Sequence, residues 1–126
     1  DYGVELRRKY EKYQHIYILD PIYNQKDIDT LRSNCFIYIH GHSAGGTNPS
    51  LVEAMFLGLP IISFDVSYNR ETTHNQSMYF DSKQQLIDIL EGLDKIDLKA
   101  AAQSMKCIAD KEYTWPIIAE KYANVF

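Results

Sequence analysis

The chain has 126 residues, enough for one domain with a real core, and 45% of them are apolar. Its 17 acidic and 13 basic residues give a formal net charge of −4, which argues against a nucleic-acid partner, because such binders present a basic face. The longest apolar stretch, Leu51 to Phe64, is interrupted by Glu53, Gly58 and Pro60, so no run reaches membrane-spanning length, and no signal peptide is visible.

Residues 2–13 are charged and helical in composition, with Val4, Leu6 and Tyr10 able to form a buried side and the charges a solvated one. His15 to Leu19 is a short β-branched and aromatic run that predicts a strand, ended by Asp20-Pro21. A short helix follows over Asp27 to Ser33, capped by Asn24 or Asp27. Cys35 to His40 predicts a second strand, with the near-continuous apolar character of a parallel strand covered on both faces. Cys35 and Cys107 have no metal or redox spacing and read as small buried residues, in keeping with a reducing compartment.

Next comes a loop of small residues, Gly41 to Asn48, which opens a helix. Asn48 suits the N-cap, and Pro49 suits the first helical position because its missing N–H would have no partner there. Gly58 and Pro60 stop this helix. Leu51, Ala54, Met55 and Gly58 follow the i, i+3, i+4, i+7 spacing of a core face. A glycine-rich loop feeding a helix start makes an anion site, because unpaired backbone N–H groups and the positive end of the helix dipole point at the ligand. Glu53 returns to the face of Pro49 about one turn on, roughly 6 Å along the axis. A diphosphate at the helix start would leave a ribose near that carboxylate. The plainer alternative is that Glu53 is the one exposed position of a mostly buried helix.

Ile61 to Phe64 predicts a third, buried strand. Asp65 to Gln76 is polar and reads as irregular, and Met78 to Phe80 as a short fourth strand. Asp81 or Ser82 caps a helix from about Lys83 to Glu91, with Leu86, Ile89 and Leu90 inward and Gly92 at its end. Asp97 caps another to about Asp110, and Thr114 a last one, Trp115 to Phe126. Strands alternating with helices imply a parallel sheet, in which ligands bind at the carboxyl ends of strands. The loops after His40 and after Phe64 both leave from such ends, and the cleft between them is the expected site.

Gly41-His42-Ser43-Ala44-Gly45 also matches the G-x-S-x-G nucleophile elbow of serine hydrolases and follows a strand, as the elbow does. Against it, Asn48-Pro49 delays the helix beyond the point where an elbow helix starts. The one histidine after Ser43 is His74, which leaves Asp65 as the acid, too close in sequence for the strands that separate the two. The chain is also short for that fold. His40-x-His42 offers two ligands on one strand face but no third at metal spacing, so no metal or cofactor is expected.

The whole stretch Gly46-Thr47-Asn48-Pro49-Ser50-Leu51-Val52-Glu53-Ala54-Met55, then Gly58-Leu59-Pro60-Ile61-Ile62, resembles the nucleotide-sugar-binding segment of retaining GT-B glycosyltransferases of family 4. The resemblance implies a Rossmann-like α/β domain, three-layered with a parallel sheet of about four strands, forming the C-terminal half of a GT-B fold. It implies a nucleoside diphosphate sugar held without metal by Gly45, Gly46, Thr47, Asn48 and Ser50, with Glu53 on the ribose and His42, Ser43 and Arg70 as weaker contacts near the sugar or phosphates. Leu19-Asp20-Pro21-Ile22 looks like the strand-end segment whose backbone meets the base, which assigns Pro21 and Ile22 to base binding. Tyr113-x-Trp115, with Tyr122 and Phe126, looks like the closing helices of the family.

Gly45 stands where the family has a first glutamate, eight residues before the second. That departure keeps open a non-enzymatic module as an alternative to the transferase. The His-Ser-Ala-Gly-Gly-Thr-Asn-Pro-Ser variant is similar to the bacterial rhamnosyltransferase branch of capsule and O-antigen synthesis, with dTDP-rhamnose or a UDP-sugar as donor. On this reading the 126 residues are one donor-binding domain, a fragment lacking the N-terminal acceptor domain and the first strand and helix of its own domain, and inactive alone. The full enzyme would act in the cytoplasm, at the inner membrane surface, on a glycan or lipid-linked acceptor.

Overall fold

The computed structural model describes residues 1–125. The chain divides into a small unit, Asp1–Leu31, and a larger one from Arg32 onward. In the small unit, α1 spans Tyr2–Tyr10, and Asp1 caps it by accepting the Gly3 N–H at 3.0 Å. None of its residues is buried. The strand expected over His15 to Leu19 does not form, and Ile16, Tyr17 and Leu19 are exposed. A strand needs a neighbour to pair its backbone groups, and every strand among the described residues lies in the larger unit. Helix α2, Gln25–Ser33, starts two residues before its expected position because Asn24 Oδ1 accepts the Asp27 N–H at 3.2 Å.

The larger unit holds a parallel sheet in the order β1-β2-β3: β1 is Tyr38–His40, β2 Ile61–Phe64 and β3 Met78–Phe80. This is an open α/β sheet, compatible with a Rossmann-like domain, with three strands among the described residues rather than the expected four or so. Helix α3 (Pro49–Phe56) connects β1 to β2, and α4 (Ser67–Thr72) connects β2 to β3. Helices α5 (Lys83–Glu91), α6 (Leu98–Glu112) and α7 (Trp115–Ala123) follow, with a 3-10 turn at Leu93–Lys95. The Phe126 end of the last expected helix lies outside the described residues.

Four expectations change here. Strand β1 starts at Tyr38, not Cys35. Its neighbour begins after Pro60, which has no N–H to extend the ladder, and Tyr38 N–H ends the pairing on the Pro60 carbonyl at 2.9 Å. As an edge strand it is not covered on both sides: Ile39 is 42% exposed, whereas Ile61, Ile62 and Ser63 of β2 are buried on both faces. Cys35 therefore sits in a turn, and Cys107 on the outer side of α6; both are exposed rather than buried. Finally, the segment read as irregular contains α4. Its inward residues are polar, Asn69 and Thr72, so no apolar periodicity marks it.

The core joins Leu51, Ala54 and Met55 of α3, Leu59, Ile61 of β2, and Met105, Ile108 and Ala109 of α6. Helix α3 is fixed at both ends. Asn48 Oδ1 accepts the Ser50 N–H at 3.0 Å. At the other end Gly58 N–H donates to the Met55 carbonyl (3.0 Å) and Leu59 N–H to the Ala54 carbonyl (3.2 Å), the paired bonds of a Schellman stop. That stop needs the left-handed backbone of Gly58, at φ 65°. Gly58→Ala is expected to cost about 1–2 kcal/mol in urea unfolding, the penalty of a left-handed L-residue. An unchanged midpoint would show that this stop does not hold α3 in place.

Candidate functional site

The cavity that holds Glu53 does not lie in the cleft expected between the two carboxyl-end loops: Thr47 of the loop after β1 reaches it, no residue of the loop after β2 does, and its walls are α3 and residues 113–118. The loop Gly41 to Asn48 leaves β1 and runs over the surface, and all of its residues up to Thr47 are exposed. It is tied to the rest of the unit by Asn69, a buried residue of α4. The Asn69 amide nitrogen donates to the His42 carbonyl at 3.1 Å and to the Phe64 carbonyl at 2.9 Å, linking the ends of β1 and β2. Gly45 takes φ 102°, a conformation that L side chains rarely adopt, so the turn before α3 depends on a glycine there.

The loop ends on a cavity of about 390 Å³. One wall is Thr47 with Pro49, Val52, Glu53 and Phe56; the other is Tyr113, Trp115 and Ile118. The α3 residues at this wall have spacing i, i+3, i+4, i+7 counted from Pro49, a second face beside the core face. Glu53 thus shares one cavity with Pro49 and Thr47, one turn from the helix start. It is also ion-paired through Oε2 with Arg32, whose side chain is 15% exposed against 42% for Glu53. The carboxylate is therefore neither a free solvent-facing charge nor a buried one. Tyr38 lies near this pair: burial pushes its hydroxyl pKa up, Arg32 opposes that shift and Glu53 adds to it.

The other residues singled out in the sequence are placed as follows. Asn48 spends its side chain on the Ser50 N–H, and Pro49 has none, so an anion at the start of α3 would have to use the N–H groups of Gly46, Thr47 and Asn48. His42 and Ser43 are exposed on the loop and do not line the cavity. Nor does Arg70: Asp65 holds its guanidinium with two bonds, Nε to Oδ1 at 2.5 Å and Nη2 to Oδ2 at 2.7 Å, and it lies 4.1 Å over the Tyr79 ring. The Arg70 contact keeps the Asp65 carboxyl below its usual range. Pro21 and Ile22 belong to the small unit. His74, the histidine a serine hydrolase would need, lines a different cavity of about 270 Å³ with Cys107 and Glu112. The acid of a triad with Ser43 is thus bound to Arg70, and the base lines a different cavity. The His40 and His42 rings are 6.0 Å apart, and no group of three metal-ligating side chains occurs among the described residues. No helix among them is long and apolar enough to cross a membrane.

Sequence reasoning missed Val52, Phe56, Ile118 and Arg32. Counting the helical period from Pro49 as well as from Leu51 would have found Val52 and Phe56. Nothing local marks Arg32, which meets Glu53 from 21 residues away. Comparison with protein-family models and with curated proteins finds no match.

Beneath the loop, His40 is 4% exposed and lies opposite Ser63 across the β1–β2 ladder. Its Nδ1 is 3.4 Å from the Tyr38 hydroxyl, while His40 Nε2, Ser63 Oγ and Asn69 Oδ1 have no protein partner. Burial, with a smaller contribution from His42, holds the His40 pKa below the ordinary 6.5. The unfolded chain takes up this proton near 6.5 and the folded chain only at lower pH. The contribution is therefore fully present above 6.5 and is lost as pH falls from there through the folded value. Unfolding by urea at pH 7 and pH 5 is expected to show a larger loss for the wild type than for His40→Gln. Equal losses would place the acid sensitivity on other groups.

Proposed function

We propose that this chain is the donor-binding domain of a retaining glycosyltransferase, one that moves a sugar from a nucleoside diphosphate sugar to a glycan acceptor in cell-surface polysaccharide synthesis. Rhamnose from dTDP-rhamnose is the donor sugar the loop sequence favours. The observation that carries the reading is the shared cavity of Thr47, Pro49 and Glu53 along the first turns of α3, the helix whose start follows the carboxyl end of β1. In open α/β sheets that end is where ligands bind.

In this reading the N–H groups of Gly46, Thr47 and Asn48 meet the diphosphate. Fixed donors of this kind also stabilise the charge that grows on a departing nucleoside diphosphate, which is where they would assist transfer. Glu53 accepts the ribose hydroxyls. One bond to Arg32 leaves acceptor capacity on the carboxylate, which has about four lone-pair sites. The acceptor binds to another domain of the full enzyme, acting at the inner membrane surface.

Calorimetric titration with UDP, dTDP and GDP tests this. Binding of a nucleoside diphosphate is expected, weakened in Glu53→Ala by about 1.5–3 kcal/mol, the scale of a lost hydrogen bond to a charged group. Circular dichroism of the variant checks that loss of the Arg32 partner leaves the fold intact. Absence of binding to all three, or equal binding by the folded variant, would overturn the reading.

A further inference from the structure

We propose that His40, Ser63 and Asn69 form a binding site for one water molecule, which bridges the three side chains beneath the loop that follows β1. The inference is independent of the nucleotide-binding reading and concerns the floor of the loop, not the cavity of Glu53.

Four buried side-chain polar atoms lack a protein partner among the described residues, and three of them are His40 Nε2, Ser63 Oγ and Asn69 Oδ1. Orphaned buried polar atoms are rare in folded proteins, and each one calls for a partner. The fold brings these three to one patch. His40 of β1 is the register partner of Ser63 of β2, and Ser63 is the partner of Tyr79 of β3. Side chains at matching positions of a ladder share one face, on strands about 4.8 Å apart, so the three form a row. The Tyr79 hydroxyl lies 2.6 Å from Thr73 Oγ1, which donates to the Asn69 carbonyl at 2.7 Å. Thr73 stands one helical turn after Asn69, on the same side of α4. Asn69 therefore covers the face that carries His40 and Ser63. All three residues are at most 4% exposed. No two of the orphaned atoms bond each other, as expected of groups that share a third partner.

The hydrogen-bonding capacities of the set select the ligand. The Asn69 amide nitrogen faces the carbonyls of His42 and Phe64, so its oxygen faces away from them and can only accept. Burial keeps the His40 ring neutral, and its Nδ1 is 3.4 Å from the Tyr38 hydroxyl. With that hydroxyl donating, the ring hydrogen sits on Nε2, which donates. The Ser63 hydroxyl does either. One acceptor, one donor and one group of both kinds suit a water, and about three bonds are usual for a buried one. A metal cation would meet the Nε2 hydrogen, and an anion would meet the Asn69 oxygen. The water is thus the inner end of a tie whose outer end, the Asn69 nitrogen, holds the His42 carbonyl of the loop.

A high-resolution crystal structure of the wild-type protein is expected to show one oxygen about 2.5–3.2 Å from each of the three atoms. Urea unfolding of Ser63→Ala supplies a second readout, because its sign depends on the water. With the water in place, the variant loses a bond, and its unfolding equilibrium constant is expected to rise about 2- to 12-fold, the scale of one net hydrogen bond. Without it, the methyl group would relieve a buried unpaired hydroxyl, and the variant would be the more stable protein. Greater stability of Ser63→Ala would therefore overturn the inference. So would a crystal structure in which the three side chains bond one another directly, or in which the density between them carries the anomalous signal of a metal ion.

Discussion

Helix α3 has two faces, and the first fixes the second. Leu51, Ala54 and Met55 are fully buried against Leu59, Ile61 and α6, so the helix cannot rotate without exposing them. Removing a side chain such as Leu51 or Met55 typically costs about 2–5 kcal/mol, which is a large share of a small domain's stability. With that face locked, helical geometry sends Pro49, Val52, Glu53 and Phe56 to the cavity. Axial position is set as firmly, by Asn48 at the start and the Gly58–Leu59 stop at the end. The placement of one carboxylate thus follows from a core it does not belong to.

The loop that supplies the other half of the site is held differently. It buries no apolar side chain, and its glycines favour no single conformation. Its order comes from polar groups beneath it. Asn69 bonds the His42 and Phe64 carbonyls, and Thr73 ties α4 to β3 through the Tyr79 hydroxyl at 2.6 Å. The Asn69 amide nitrogen donates to both carbonyls, which fixes the ends of β1 and β2 relative to each other. The sheet is rigid through packing, and its carboxyl end is shaped by hydrogen bonds.

The contrast explains what could be read from the sequence. Helix α3, β2 and β3, and the helices capped by Ser82 and Asp97, follow from local signals that tertiary structure leaves in place. The shared face of Pro49 and Glu53 was legible for the same reason, whereas the cavity lies beside α3 and not between the two carboxyl-end loops. The strand at His15 to Leu19 was misread because β propensity reflects packing against neighbours, and no neighbour pairs it. Helix α4 escaped notice because its buried side is Asn69 and Thr72, residues that composition assigns to loops. The Arg32–Glu53 pair and the Trp115 wall join segments far apart in the chain, and no local pattern encodes such meetings.

The Arg32–Glu53 pair also bears on how Glu53 would behave toward a ligand. Both side chains keep some exposure, and ion pairs near the surface are worth about 0–1 kcal/mol. A hydroxyl donating to a carboxylate is worth about 1.5–3 kcal/mol, and the carboxylate can accept it without releasing the arginine. The pair is thus too weak to be the reason for a charge in an apolar wall, yet it restricts the carboxylate to one orientation before any ligand arrives. Preorganisation of this kind lowers the entropy a ligand must overcome on binding. A lone glutamate at the exposed edge of a helix would have been left free to rotate, whereas Glu53 is held facing the cavity.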